Sequence, residues 1–353
     1  MALVMTGQTT WLDQARDAHR RDDVAAETAI LDTAIRADRG NIAAQLAMAE
    51  LKRRLGDERA AGSFYRLALG TATQAQNVPP ALHPGLQRAE QFLAATERTF
   101  ADHLLGQLRE AGIDTRSASP RVAEALRMLA GEQPLYLQQP SMFYFPGLAQ
   151  RPFFDRADFE WVPAVEAATD AIRAELLVLI DQSADRFAPY VTASADRPPP
   201  NNPLLDKPDW GAAWLWKDGV VAEGMADLCP QTLAALAHAP QPVIPGRAPL
   251  ALFSRLTPGT HIQPHHGMLN TRLICHLPLV IPDGCGLRVG AKTREWHMGE
   301  LTIFDDSFEH EAWNRGASDR SVLLFEIWRP DIDADERGQL ARIFAAIDTY
   351  GEA

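Results

Sequence analysis

At 353 residues, with 46% hydrophobic and 23% charged side chains, the chain is long enough for two domains that each bury a core. A formal net charge of −12 offers no overall attraction to phosphate backbones or anionic membrane surfaces, which argues against nucleic acid or membrane as a partner. No run of ~18 apolar residues occurs, the first ten residues lack a basic stretch followed by an apolar one, and Cys229, Cys275 and Cys285 lack CxxC spacing. The expectations are therefore a cytoplasmic protein, no membrane span and buried thiols rather than disulfides.

Residues 11–70 repeat loosely at a 34-residue offset: Leu12 matches Leu46, Ala15 matches Ala49, Asp23 matches Asp57, Ala26 matches Ala60, Leu31 matches Tyr65 and Ala34 matches Ala68. That period belongs to tetratricopeptide helix pairs, in which small alanines let two helices approach and successive pairs bury a shared core. An unrelated alanine-rich helical bundle is the alternative. One or two pairs do not stand alone, so an amphipathic helix over 83–111 is expected to cap them. Gly112, Ser117, Ser119 and Pro120 then punctuate the chain ahead of a short helix over 122–130, which puts the domain boundary near residue 125.

Beyond it, FYFPGLAQRPFFD (143–155) is aromatic and turn-rich, and 162–180 carries apolar residues at helical spacing. Residues 194–209, with Pro198, Pro199, Pro200, Asn201 and Asn202, read as a long loop or lid. From residue 250 onward the pattern becomes short strands between Pro and Gly turns: LALFSRL, RLICHLPLVI, GLRVG, LTIFDD and SVLLFEIW. The fold class is α+β, with helices first and a β-sandwich or barrel after them.

Six of the ten histidines fall between residues 261 and 310. Strand alternation would point His265 and Gly267 to one face and His266 to the other. The common iron-oxygenase triad has a carboxylate two residues after its first histidine; this chain has Gly267. Arg272, Ile274 and His276 share a strand face by the same alternation. Asp305 and Asp306, just ahead of His310, are read as orienting a turn or a site residue rather than touching a metal. Trp296, Trp313 and Trp328 read as core and rim aromatics.

GTHIQPHHGMLNTRLICHLPLVIP, followed by GLRVG, FDDSFEHEAWN, a later arginine and FEIWRP, resembles the aspartyl/asparaginyl β-hydroxylase family of 2-oxoglutarate- and Fe(II)-dependent dioxygenases. The resemblance extends upstream through FYFPGLAQRPFFD, the neighbourhood of Trp214 and Trp216, and CPQT, and covers roughly residues 140–332. Some members carry tetratricopeptide helices ahead of the catalytic domain. The implied architecture is a tetratricopeptide-like helical domain over 1–125 and a double-stranded β-helix (jelly-roll, cupin-like) domain over 126–353.

The resemblance implies that His265 and His310 hold iron without an acidic third ligand. It also implies that Ser254 and Arg320 receive the far carboxylate of 2-oxoglutarate, a guanidinium being suited to bidentate pairing. Similar enzymes have an arginine where this chain has Ile274, so the roles of Arg272 and His276 in the co-substrate site rest on their shared face. His276 either donates to a carboxylate oxygen or is a satisfied core histidine. The implied reaction consumes O2 and converts 2-oxoglutarate to succinate and CO2, with ascorbate as a supporting reductant. The implied target is the β-carbon of an aspartyl- or asparaginyl-type residue in a peptide, protein or small metabolite, and the helical repeats would offer a protein partner a surface. Two other readings compete: an iron halogenase, suggested by His-x-Gly, and a non-catalytic repeat scaffold with a structural β-domain. A zinc hydrolase is disfavoured, since two histidines make a poor zinc site and no HExxH occurs.

Overall fold

The computed structural model describes residues 10–113, 118–193 and 198–348. The reading of the N-terminus rests largely on residues 1–9, which lie outside them, as do Ser117 and residues 194–197 of the expected loop. Two compact units divide the chain, Met1–Pro134 and Leu135–Ala353. Residue 125 falls inside the helix Pro120–Leu129.

The first unit is helical: α1 (Trp11–Arg20), α2 (Val24–Ala37), α3 (Ile42–Arg54), α4 (Glu58–Gln74), α5 (His83–Glu110) and α6 (Pro120–Leu129). Residues related by the 34-residue offset do the same work in α1–α2 and in α3–α4. Asp23 accepts from the Ala26 amide and Asp57 from the Ala60 amide, both at 3.0 Å, so each second helix starts on an aspartate cap. Leu31 and Tyr65 are buried at matching positions, as are Ala15 and Ala49, and Ala34 and Ala68. The expected capping helix is α5, whose Ala89 and Leu93 join the core built around Tyr65 and Ala68. Arg54 Nη2 donates to both carboxylate oxygens of Glu27 at 2.8 Å, tying α3 to α2.

The second unit combines twelve described strands with five described α-helices. In chain order they are β1 (Phe153–Phe154), α7 (Val162–Ala167), α8 (Thr169–Gln182), β2 (Ala188–Pro189), β3 (Trp210–Lys217), β4 (Val220–Val221), α9 (Met225–Leu228), α10 (Pro230–Leu236), β5 (Ala251–Leu256), β6 (His261–His265), β7 (Arg272–Val280), β8 (Cys285–Val289), β9 (Lys292–Arg294), β10 (Thr302–Phe304), β11 (His310–Asn314), β12 (Arg320–Trp328) and α11 (Ala334–Asp348). Pairing is antiparallel between all of these strands. The larger sheet runs β1-β10-β7-β12-β5-β3-β2 with β4 on β3, and the smaller runs β6-β11-β8-β9.

The long apolar runs expected as strands are β5, β7 and β12, and they are continuous because both faces are buried. Along β12, Leu323, Phe325 and Ile327 pack outward with Ile172, Leu176 and Leu179 of α8. The alternate residues Val322 and Leu324 join Leu252, Ile274 and Phe304 in a core that also takes Ile262, Leu287 and Ala312 from the smaller sheet. On this inner layer β5, β7 and β12 place the buried or half-buried polar residues Ser254, Arg272, His276, Arg320 and Glu326. The described part of the loop 194–209, residues 198–209, is irregular and docked: Leu204 is buried and the Asp206 amide donates to Val191 O at 2.8 Å. Cys229, Cys275 and Cys285 are buried free thiols. Among the described residues no helix is long and apolar enough to cross a membrane.

Candidate active site

The two histidines singled out in the sequence are cross-strand neighbours. Within the smaller sheet, β6 and β11 pair with His265 opposite His310, and their ring centroids are 4.1 Å apart. A register shift follows at once between His310 and Ala312, the kind of bulge that re-aims a side chain. The rings are held in the same way: His265 Nδ1 lies 2.8 Å from Gln263 O and His310 Nδ1 lies 3.0 Å from Phe308 O. A carbonyl can only accept, so each Nδ1 carries the proton and each Nε2 keeps its lone pair. Burial lowers the pKa of both rings, that of His310 to about 3, with the neighbouring His265 pushing it the same way. Neutral imidazoles with free Nε2 atoms are the form that ligates a transition metal.

The strand β6 ends at His265, so the expected alternation does not run on through His266 and Gly267. His266 lines the same cavity as His265 instead of pointing away.

That cavity, of about 230 Å³, lies between the sheets and carries an arginine toward each end. At one end is Arg320, 1% exposed, with its guanidinium carbon 4.2 Å above the Trp296 ring. Its Nη1 donates to Ser254 Oγ at 3.4 Å, its Nε has no hydrogen-bond partner, and among the described residues no carboxylate pairs with it. Burial lowers its pKa to about 10. Ser254 Oγ also accepts from Trp210 Nε1 at 3.2 Å, which leaves the hydroxyl proton available to an incoming acceptor. His276 completes this end. It is 6% exposed, and burial, with Arg320 and His310 adding to the effect, holds its pKa well below the ordinary imidazole value. Its Nδ1 is buried with no partner, which a satisfied core histidine would not leave.

At the other end Arg272 is engaged by carboxylates through its two terminal nitrogens, while its Nε, like that of Arg320, has no partner. Its Nη1 lies 2.5 Å from Glu326 and its Nη2 lies 3.4 Å from Asp306. Burial opposes its charge, but the two carboxylates hold its pKa above the ordinary guanidinium value. Burial raises the pKa of Asp306 to about 6 against the pull of Arg272, and its Oδ1 has no partner. Gly267 is locked beside it, with its amide donating to Asp306 O at 2.7 Å. A Cβ added at Gly267 would stand 2.1 Å from Asp306 Oδ2, so an acidic side chain at 267 has no room. The adjacent Asp305 has the turn-orienting role: it accepts from Gln138 Nε2 at 2.7 Å and from the Ser307 amide at 3.0 Å, and pairs with Arg329. Trp296 and Trp328 are buried and Trp313 half-buried, in keeping with core and rim positions.

Among the described residues no three His, Cys, Asp or Glu side chains gather as a metal-binding group, so the two imidazoles are a pair without a protein third ligand. The donor chemistry fits a ferrous ion with several open positions, and the orphaned Nε of Arg320 and Nδ1 of His276 fit an absent anion. Among the wall residues that escaped the sequence reading are Tyr190, stacked 4.1 Å from Trp210, Trp210 itself, and Met268. Asn202 reaches the wall from the expected loop. Tyr190 lies far from the histidine cluster in sequence, and the only signal for Trp210 was its place just ahead of the Trp214 and Trp216 neighbourhood.

Residues 166–330 match the family model described as Aspartyl/Asparaginyl beta-hydroxylase. The chain is 33% identical over 209 residues to the aspartyl/asparaginyl beta-hydroxylase of Mus musculus, covering 58% of this chain and 27% of that protein. It is 35% identical over 187 residues to the ornithine lipid ester-linked acyl 2-hydroxylase of Rhizobium tropici, covering 52% of this chain and 62% of that protein. The chain thus spans about a quarter of the first relative's length and under two thirds of the second's. Among solved structures, a cupin 2 conserved barrel domain protein from Salinispora arenicola is 13% identical, with a TM-score of 0.23, over 38% of this chain and 83% of that one.

Proposed function

We propose that the second unit, whose residues 166–330 match the Aspartyl/Asparaginyl beta-hydroxylase family model, is a member of that family and a 2-oxoglutarate- and Fe(II)-dependent dioxygenase that hydroxylates an unactivated carbon. On this reading its two sheets form a double-stranded β-helix, and the first unit is a pair of tetratricopeptide repeats open to a protein partner. The single observation that carries the proposal is Arg320: a fully buried guanidinium without a carboxylate, in the same cavity as a pair of neutral imidazoles. A buried charge left unpaired is costly, so such a site is built for an anion that arrives later.

His265 and His310 would hold the iron through Nε2, each oriented by its Nδ1–H bond to a backbone carbonyl. The bound metal, with 2-oxoglutarate and O2, would supply the oxidising chemistry, with succinate and CO2 as co-products and ascorbate keeping the metal reduced. The chain's own residues do the placing. Arg320 and the Ser254 hydroxyl anchor the far carboxylate of the co-substrate, and His276 donates to a carboxylate oxygen. The apolar walls at Ile262, Leu287 and Leu324 exclude water from the reacting carbon.

The test is succinate release from 2-oxoglutarate by purified protein with Fe(II) and ascorbate, with anaerobic Fe(II) titration alongside. We expect turnover in the wild type, and neither turnover nor stoichiometric iron binding in His310→Ala. Equal succinate release by His310→Ala would overturn the reading.

A further inference from the structure

The sheet holds each ring of the imidazole pair from one side only. His265 is the last residue of β6 and His310 the first of β11, so residues 266–270 lead away from one ring and residues 305–309 lead up to the other. The irregular segment 138–147 lies against both turns. Pro140, Pro146 and Gly147 keep it out of a regular element, and its amides find partners in the turns: Gln139 donates to Ser307 O at 2.7 Å, Ser141 to Gly267 O at 2.9 Å and Met142 to Met268 O at 3.1 Å. At the start of this run the Gln138 side chain, 5% exposed, bridges the turns with all four of its hydrogen-bonding positions in use. Its Nε2 donates to Asp305 Oδ2 at 2.7 Å and to Ala149 O at 3.1 Å, and its Oε1 accepts from Asn270 Nδ2 and Gln150 Nε2, each at 3.1 Å. Asp305 belongs to the turn before His310 and Asn270 to the turn after His265, and both are fully buried. The amide can face only one way, because a flipped group would set its oxygen against the Asp305 carboxylate and its N–H groups against those of Asn270. Each anchor is itself fixed, Asp305 by Arg329 and the Ser307 amide, Asn270 by the amide and carbonyl of Phe145.

We propose that Gln138 is a positioning residue: by tying Asp305 to Asn270, its amide sets the separation and aim of the His265 and His310 rings. That the rings ligate a metal rests on the function proposed above; their placement by Gln138 does not need the metal. A chelating pair loses affinity when its two donors are free to part, and an outer partner that holds a ligand in place is worth about tenfold to a hundredfold in metal affinity.

Gln138→Met keeps an unbranched side chain of similar length and removes the amide. Gln150→Met is its control, because Gln150 shares two hydrogen bonds with Gln138 and touches neither turn through them. Two measurements on the full chain test the proposal: an anaerobic Fe(II) titration, and spectra of the metal-free protein labelled with 15N-histidine, which follow the His310 Nδ1–H that donates to Phe308 O. We expect Gln138→Met to weaken iron by at least about tenfold and Gln150→Met by less than about threefold. Without metal, the His310 Nδ1–H resonance should shift or broaden in Gln138→Met and stay in place in Gln150→Met. Gln138→Asn keeps the amide one methylene short of spanning the turns; it should fall between the two, and it carries the test if Gln138→Met does not fold. Wild-type iron affinity or an unmoved resonance in the Gln138 variant overturns the proposal. Equal changes in Gln150→Met overturn it as well, since they would make Gln138 a packing residue only. If the wild type binds no iron, the dioxygenase reading falls, and the His310 resonance alone decides the role of Gln138.

Discussion

Two arginines stand in the wall of one cavity, and they are in opposite electrical states. Arg272 has two carboxylates within 3.4 Å, while Arg320 has one serine hydroxyl and an aromatic face. Residue type is therefore a poor guide to role here. The paired guanidinium holds the sheet together, since it joins β7 to β12 through Glu326 and reaches Asp306 beyond β10. On the proposed function the unpaired one weakens the fold and serves the co-substrate's carboxylate. The same substitution should consequently have opposite effects at the two sites.

Arg272→Met would leave Asp306 and Glu326 buried without their cation, and breaking a buried pair from one side costs roughly 3–5 kcal/mol. Urea denaturation should register that loss. Arg320→Met removes a buried charge that has no carboxylate, so its stability should be unchanged or up to about 2 kcal/mol higher. Equal losses in the two variants would erase the distinction. In binding the order reverses: truncating a buried charge at its ligand's carboxylate costs about 2–5 kcal/mol, so Arg320→Met should weaken 2-oxoglutarate about a hundredfold in an anaerobic titration. The wild-type affinity retained in Arg320→Met would remove the role given to that residue.

The helix-then-strand order and the 34-residue recurrence of the helices were legible in the chain, as were six residues that share the cavity, Ser254, His265, Arg272, His276, His310 and Arg320. His265, His310, Ser254 and Arg320 sit at or next to strands whose apolar runs and turn residues are local signals. The state of Arg272 was not legible, because its partners come from β12 and from the turn after β10, and strand register is a tertiary property. Gly267 was legible as a missing carboxylate, but not as a position whose space is filled by Asp306. The cavity lined by Met268, Ile244, Trp328 and Phe344 draws on α11 and on the segment around Ile244, neither of which has any periodic tie to the histidine cluster.

Gly267 offers an intermediate test that joins the two ends. Gly267→Ala must push the Asp306 carboxylate from its place, and a forced shift in a packed interior costs about 1–3 kcal/mol. It also disturbs the Asp306 contact with Arg272 and leaves Arg320 untouched. Stability should fall while the affinity for 2-oxoglutarate changes by less than about threefold. A large loss of co-substrate affinity would mean that the two ends are coupled.

The smallest expected effect is at Ser254. Its Oγ accepts from Arg320 Nη1 and from Trp210 Nε1, and its remaining proton is free for the co-substrate. Ser254→Ala removes one hydrogen bond to a charged ligand, worth about 1.5–3 kcal/mol, and leaves the indole N–H of Trp210 without its acceptor. Part of that loss also weakens the unliganded protein, so the net effect on 2-oxoglutarate affinity should be about tenfold. Ser254→Thr keeps the hydroxyl and should recover most of it. Trp210→Phe deletes only the second donor and should change affinity by less than about threefold. If Trp210→Phe proved as damaging as Ser254→Ala, the indole rather than the hydroxyl would be the group that positions the anion, and the free end of the cavity would be built on β3 rather than on β5.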